Sequence, residues 1–263
     1  VAAWIAAYDG DGAVPLGLHV EGPFLTAAGA HEPAALCDPS RERIDELLRA
    51  ARGTLRLVTL SPARAGAAAA TTQLTAAGVA VSLGHCDTTD GFEACVAAGA
   101  AAVTHLFNVM GPMHHRNVGL AALSLDEPRL RCCLIPDGVH VHPAMLRLAF
   151  RALGVDRTIL VTDAAAAAGM PDGSYRLGDV DVTAAHGVVR DAHGRLAGSA
   201  LTMALLAHRF LQFLPEAGPW TLARAASSNP AALVGADRHG KIAVGSRAAF
   251  TLLGDDGSVR AIV

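Results

Sequence analysis

Gly17-Leu18-His19-Val20-Glu21-Gly22-Pro23-Phe24 is the stretch on which the fold turns. Apolar Leu18 and Val20 alternate with His19 and Glu21, and side chains alternate sides along a strand, so the two polar groups share one face of a strand end. A strand that delivers an imidazole and a carboxylate to its C-terminal end is building something there.

The pattern recurs downstream. Short apolar, β-branched runs at Leu16–Val20, Leu55–Leu60, Val79–Leu83, Ala101–His105, Arg131–Ile135 and Thr158–Thr162 read as buried parallel strands. Ser40–Arg52 has helical spacing between two of them, with Ser40 placed as a cap and Ile44, Leu47 and Leu48 as an apolar stripe. Ala65–Ala77, Gly91–Ala98 and Pro143–Leu153 read as helices too, each followed closely by a glycine. Strand alternating with helix implies an α/β fold around a parallel sheet. His19, Glu21, His85, His105, Asp137 with His140, and Asp163 all fall at C-terminal strand ends. A closed barrel gathers those ends at one mouth, whereas an open sheet strings them along a line. The expectation is a TIM-like (β/α)8 barrel. Leu196–Ser199 supplies a seventh strand, and the first, apparently lacking, would precede Val1.

After Asp163 the pattern changes. Tyr175–Leu177, Val180–Val182 and Val188–Arg190 read as a β-insertion near 174–192, ahead of the last barrel strand. Helices are expected at Met203–Leu214 and Thr221–Ala226, the latter ending before Asn229-Pro230. Gly240–Gly245, Ala249–Leu253 and Val259–Val263 read as short strands of a minor layer, which divides the chain into a barrel over 1–240 and a small unit over 241–263.

Composition bounds the partners. The chain has 263 residues, 52% of them hydrophobic, enough for one large core. Its alanine-rich runs, Ala67–Ala70 and Ala164–Ala168, are far shorter than the roughly 20 residues a membrane crossing needs. Val1–Tyr8 is apolar but lacks the basic start and cleavage site of a secretory signal; the chain also lacks an initial methionine and reads as part of a longer one. A net charge of -3 with mixed signs offers no basic face for nucleic acid or a membrane surface, which leaves a small molecule as partner. Cys37, Cys86, Cys95, Cys132 and Cys133 form neither CxxC pairs nor a disulfide framework, so a reducing, cytoplasmic setting is expected. Cys132 and Cys133, adjacent in a strand, should point to opposite faces as small buried hydrophobes.

A carboxylate and imidazoles on separate strand ends make a plausible ligand set for zinc or a similar ion: Glu21, His85 and His105. Asp163, straight after the buried run Thr158–Thr162, is placed to move protons; its structural alternative is an N-cap for the helix-like Ala164–Ala168. His114-His115-Arg116 gathers a permanent cation and two titratable rings on one loop, which suits a phosphate or carboxylate as well as it suits a solvated surface.

Six motifs then stand in a telling order: Gly17–Phe24, Gly84-His85, Thr104-His105-Leu106-Phe107-Asn108, His114-His115-Arg116, Asp137-Gly138-Val139-His140-Val141, and Val161-Thr162-Asp163-Ala164 through Gly173. Together they resemble the N-acetylglucosamine-6-phosphate deacetylases of the amidohydrolase superfamily, over nearly the whole chain. The resemblance implies Glu21, His85 and His105 as ligands of one divalent metal, most readily Zn2+, and Asp163 as the catalytic acid and base. It implies substrate contacts at Ala30, His31, Asn108, Val109, Arg116, Asp137, Gly138, Val139, His140, Leu196, Ala197 and Gly198, with Arg116 on the phosphate and His140 on the sugar and amide carbonyl. It also implies a barrel with a small β-sandwich built from both chain ends, of which only C-terminal strands fall in this sequence, and a homodimer. The implied reaction is hydrolysis of the acetamide of N-acetylglucosamine 6-phosphate to glucosamine 6-phosphate and acetate. Two alternatives stay open on the residues alone: another amidohydrolase, such as a deaminase or an N-acyl-amino-acid hydrolase, or an incomplete, inactive barrel.

Overall fold

The computed structural model describes residues 1–9, 13–254 and 258–262. A five-residue helix, α1 (Ala2–Ala6), precedes the first strand, β1 (Leu18–Glu21). Strand and helix then alternate through α2 (Arg41–Ala51), β2 (Leu55–Leu60), α3 (Ala67–Ala76), β3 (Ala80–Leu83), α4 (Phe92–Ala97), β4 (Ala102–Val103), α5 (Gly119–Asp126), β5 (Arg131–Leu134), α6 (Pro143–Arg157) and β6 (Thr158–Leu160). Local chemistry explains the helix ends. The Ser40 hydroxyl accepts from the Arg43 N–H at the start of α2, and Arg52 closes that helix in the left-handed conformation. In α6 the run breaks at Gly154 (φ 65°), where the glycine stop is expected, and resumes to Arg157.

β1 to β6 form one sheet in sequence order, each strand parallel to the next. Laid flat, six strands would separate β1 from β6 by about 24 Å at roughly 4.8 Å per neighbour. Glu21 at the end of β1 and Asp163 just past β6 nevertheless line one cleft, so the sheet curls as in a TIM-like barrel. Alternation sorts the strand residues into two layers. Leu57, Ala102, Cys133 and Ile159 fill the inside, with Leu233 packed among them. Val58, Leu60, Val81, Leu83, Val103, Cys132, Leu134 and Leu160 face outward under the helices, joined by Ile44, Leu74, Phe92 and Leu146. Adjacent Cys132 and Cys133 therefore do point to opposite layers, and burial pushes both thiols up to about 12.

The insertion is a four-stranded antiparallel sheet, β7 (Gly173–Leu177), β8 (Val180–Ala185), β9 (Val188–Asp191) and β10 (Leu196–Ser199), in spatial order β10-β9-β8-β7. Here the expectation is corrected: Leu196–Ser199 pairs antiparallel with β9, and meets the segment after β6 only at its end, around the parallel bridge from Ser199 to Ala164. No helix forms at Ala164–Ala168, where Ala164 is held in that bridge and a turn covers residues 166–169, which removes the N-cap reading of Asp163.

Beyond β10 come α7 (Met203–Phe213) and α8 (Pro219–Ala223), the latter running through a π-turn at Arg224–Ser228 into α9 (Asn229–Leu233). The expected stop before Asn229-Pro230 does not occur. Pro230 sits in the first turn of α9, where its missing N–H has no helical partner to lose. Buried Asn229 donates to the carbonyls of Val155 and Thr158, at 2.7 Å each, and so pins α9 beneath β6. Gly240–Gly245 is not a strand either; Ile242 and Val244 are exposed and no sheet includes them. β11 (Thr251–Leu253) and β12 (Val259–Ile262) pair antiparallel as a separate hairpin, with Val263 outside the described residues.

Candidate metal centre and cleft

Three strand ends supply the centre. Glu21 is the last residue of β1, His85 lies two residues past β3, and His105 two past β4. Both histidines adopt positive φ, 51° at His85 and 29° at His105, as do Phe107, Val109 and Asp163 nearby. Each such residue costs roughly 1–3 kcal/mol and persists only where its surroundings hold it, commonly at functional sites. Both rings are buried. His105 Nε2 and His85 Nε2 lie 2.9 Å apart, and 3.0 and 3.2 Å respectively from Glu21 Oε1.

That triangle fits a cation better than it fits protons. His85 Nδ1 donates to the Ala27 carbonyl at 2.9 Å, which leaves Nε2 of a neutral ring as a lone pair. Glu21 Oε1 is buried and has no hydrogen bond among the described residues although two ring nitrogens crowd it. Three donors of a tetrahedral zinc site lie roughly 3.3 Å from one another, close to the spacing found. Burial alone would raise the Glu21 carboxyl, but the rings of His105, His31 and His85 outweigh it and hold the group far below the usual range. For His105, burial pulls the ring down and Glu21 more than compensates, leaving it raised. His31 Nε2 stands 3.4 Å from Glu21 Oε2, and with Glu21 and His85 it makes a further group able to hold an ion.

Beneath the centre a chain of hydroxyls crosses the barrel. His19 Nε2 contacts Thr59 Oγ1 at 2.7 Å, Thr59 contacts Thr104 at 2.6 Å, and Thr104 contacts Ser82 at 2.6 Å. Every buried hydroxyl there has a partner, which fixes the strands that carry Glu21, His85 and His105. His19, placed with Glu21 on one strand face, belongs to this chain.

Above lies a cleft of about 710 Å³ that unites most of the residues expected from sequence: Glu21, Ala30, His31, His85, His105, Asn108, Val109, His140, Asp163, Leu196, Ala197 and Gly198. Asn108 ties its own loop by donating to the carbonyls of His105 and Leu106. His140 Nδ1 donates to Asp137 Oδ2 at 2.6 Å, and Asp137 Oδ1 accepts the N–H groups of Val139 and His140, so Asp137 sits behind His140 rather than on the cleft wall. His140 Nε2 is buried and unpartnered among the described residues. Asp137, Gly138, Val139 and Arg116 do not line the cleft. Arg116 is exposed on a tight loop bridged by His114 and Asn117.

Sequence reasoning missed Glu32, Ala164, Ala165 and the tip of the β7–β8 hairpin, Leu177 to Val180, which form the rest of the wall. The Gly178-Asp179 turn was visible in the sequence; its position over the mouth was not.

Comparison with known proteins bears on this site. Residues 2–263 match the amidohydrolase family. The chain is 37% identical over 260 residues to the N-acetylglucosamine-6-phosphate deacetylase of Vibrio furnissii, covering 96% of this chain and 64% of that protein. It is 38% identical over 248 residues to the N-acetylgalactosamine-6-phosphate deacetylase of Escherichia coli O157:H7, covering 93% of this chain and 65% of that one. It thus spans a little under two thirds of the curated relatives' length. Among solved structures, the Mycobacterium smegmatis N-acetyl-D-glucosamine-6-phosphate deacetylase, a mutant in complex with N-acetyl-D-glucosamine-6-phosphate, superposes with a TM-score of 0.89 at 39% identity, over 94% of this chain and 66% of that one. The curled parallel sheet, the triangle of Glu21, His85 and His105 at its strand ends and a match running almost from end to end agree: the chain belongs to the amidohydrolase family.

Proposed function

We propose that this chain carries the active site of a deacetylase that hydrolyses the acetamide of N-acetylglucosamine 6-phosphate, giving glucosamine 6-phosphate and acetate. The convergence of Glu21, His85 and His105 with Asp163 on one cleft carries this reading, together with relatives named for that reaction. Glu21, His85 and His105 would hold a divalent ion, zinc being the best match to a carboxylate and two imidazoles. Such an ion, when bound, supplies a Lewis acid that polarises a carbonyl and acidifies water.

The chain's own groups do the rest. Asp163 takes a proton from the attacking water and passes it to the amide nitrogen as the C–N bond breaks, so that amine and acetate separate. His140, its Nδ1 proton committed to Asp137, presents Nε2 to the sugar and the amide carbonyl. As a neutral ring it accepts from a hydroxyl; as an imidazolium it donates to the carbonyl. Asp137, Gly138 and Val139 serve by fixing His140. Ala30, His31, Asn108, Val109, Leu196, Ala197 and Gly198 wall the sugar; the Arg116 guanidinium, which stands outside this cleft on its exposed loop, is assigned to the phosphate from the family resemblance. Five free thiols fit a cytoplasmic setting, and we assign a homodimer from the family resemblance.

The C4 epimer is the second reading, because the Escherichia coli relative named for the galactosamine sugar is as similar as those named for the glucosamine one. Acetate release from each 6-phosphate by zinc-loaded protein separates the two. A kcat/KM at least tenfold higher for the glucosamine sugar supports the first reading, and the reverse order supports the second. Release from neither overturns both.

A further inference from the structure

We propose that Ser199 is a positioning residue for Asp163, so that the antiparallel sheet sets the direction of the proton-carrying carboxylate. The inference rests on the role given to Asp163 above. Ser199 is the last residue of β10 and is completely buried. Its N–H donates to the Asp163 carbonyl at 2.7 Å, its carbonyl accepts from the Ala165 N–H at 2.9 Å, and its hydroxyl donates to the Thr162 carbonyl at 2.7 Å. All three bonds grip one segment, 162–165, and bracket the residue that holds positive φ. Two of the three are backbone bonds; the hydroxyl adds the third, on the residue that precedes Asp163.

The neighbour of Ser199 supports the same reading. Gly198 has φ +86°, and a Cβ there would lie 2.7 Å from the Asp163 carbonyl oxygen, closer than side-chain carbons come. The chain is therefore pressed against the Asp163 backbone at 198 and bonded to it at 199. β10 continues through β9 and β8 to the hairpin whose tip roofs the cleft. Cleft wall and carboxylate are thereby parts of one hydrogen-bonded unit, and Ser199 is the joint between them.

Ser199→Ala removes the hydroxyl bond and keeps both backbone bonds, while Ser199→Thr keeps the hydroxyl. In zinc-loaded protein we expect Ser199→Ala to lower kcat about tenfold, with KM within twofold, one zinc per chain and a melting temperature lowered by only a few degrees, and Ser199→Thr to recover most of kcat. A Ser199→Thr protein that melts early is set aside in favour of hydrogen exchange. The Ala165 amide should exchange at least tenfold faster in Ser199→Ala than in wild type, a readout that needs no turnover. Unchanged kcat in Ser199→Ala, or kcat falling only in step with zinc content or melting temperature, overturns the proposal. Should the wild type release no acetate from either sugar phosphate, the proposed function fails on its own, and the exchange rate alone decides for or against the Ser199 joint.

Discussion

His85 and His105 aim their Nε2 atoms at each other across 2.9 Å, with Glu21 Oε1 as the third corner. Since the His85 Nδ1 proton is committed to Ala27, the arrangement concentrates lone pairs that a single proton on His105 only partly satisfies. A cation satisfies all three at once, and its binding free energy adds directly to folding stability. Adding zinc should therefore raise the melting temperature of chelator-treated protein, with an added stability of about 4 kcal/mol at a thousandfold excess over Kd. Glu21→Gln or His105→Ala should weaken zinc binding by more than about 100-fold, beyond what outer contacts to a ligand contribute. Equilibrium dialysis checks this, and wild-type affinity in either variant would remove that residue from the centre.

Arg116 is exposed and its guanidinium faces no acidic partner among the described residues. Charge-assisted hydrogen bonds contribute about 1.5–3 kcal/mol. Arg116→Ala should thus raise KM for the 6-phosphate substrate by about 10- to 100-fold, and leave activity on the unphosphorylated sugar unchanged. Equal losses on both substrates would place the phosphate elsewhere.

Asp137 offers a pH test. Burial alone would raise its carboxyl, but the bonds from His140 Nδ1 and from the backbone N–H groups of Val139 and His140 hold it below the ordinary range. A depressed folded-state pKa contributes stability that is complete above the unfolded value, about 3.9, and disappears as pH falls through the folded one. Asp137→Asn should be less stable than wild type by about 1–3 kcal/mol at pH 7, with the gap narrowing once the pH drops below about 4. Urea midpoints at the two ends of that range check the sign; a gap that widens in acid contradicts it.

Leu134 is fully buried in the outward layer of β5, under the helices. Leu134→Ala should lower stability by about 2–5 kcal/mol through lost contacts and a cavity. Denaturant unfolding reads the loss directly, and a change under 1 kcal/mol would mean that the layer repacks freely.

Much of this architecture is legible in the sequence because two periodicities coincide with two kinds of burial. Leu55–Leu60 reads as a strand and is one, since every residue but Arg56 is buried. Glu21, His85 and His105 are legible because a polar residue after a buried strand has nowhere to go but the mouth. Three features escape such reading. Asn229-Pro230 looks like a stop, but a preceding π-turn lets proline enter a new first turn. Gly240–Gly245 alternates like a strand, yet nothing described pairs with it. The hairpin tip at Leu177–Val180 and the Ser199 contacts depend on how the insertion sheet docks, a long-range relation that local pattern does not encode.

The central claim is that one ion at Glu21, His85 and His105, with Asp163 beside it, performs the hydrolysis. The direct measurement is acetate release from N-acetylglucosamine 6-phosphate during stepwise zinc addition to chelator-treated wild type and Asp163→Asn, with bound zinc determined on the same samples. The account predicts that wild-type activity rises with zinc and levels off at one ion per chain. Asp163→Asn should bind the same zinc while releasing acetate about 10²- to 10⁴-fold more slowly. Full activity without zinc, or an Asp163→Asn protein as fast as wild type, would contradict it.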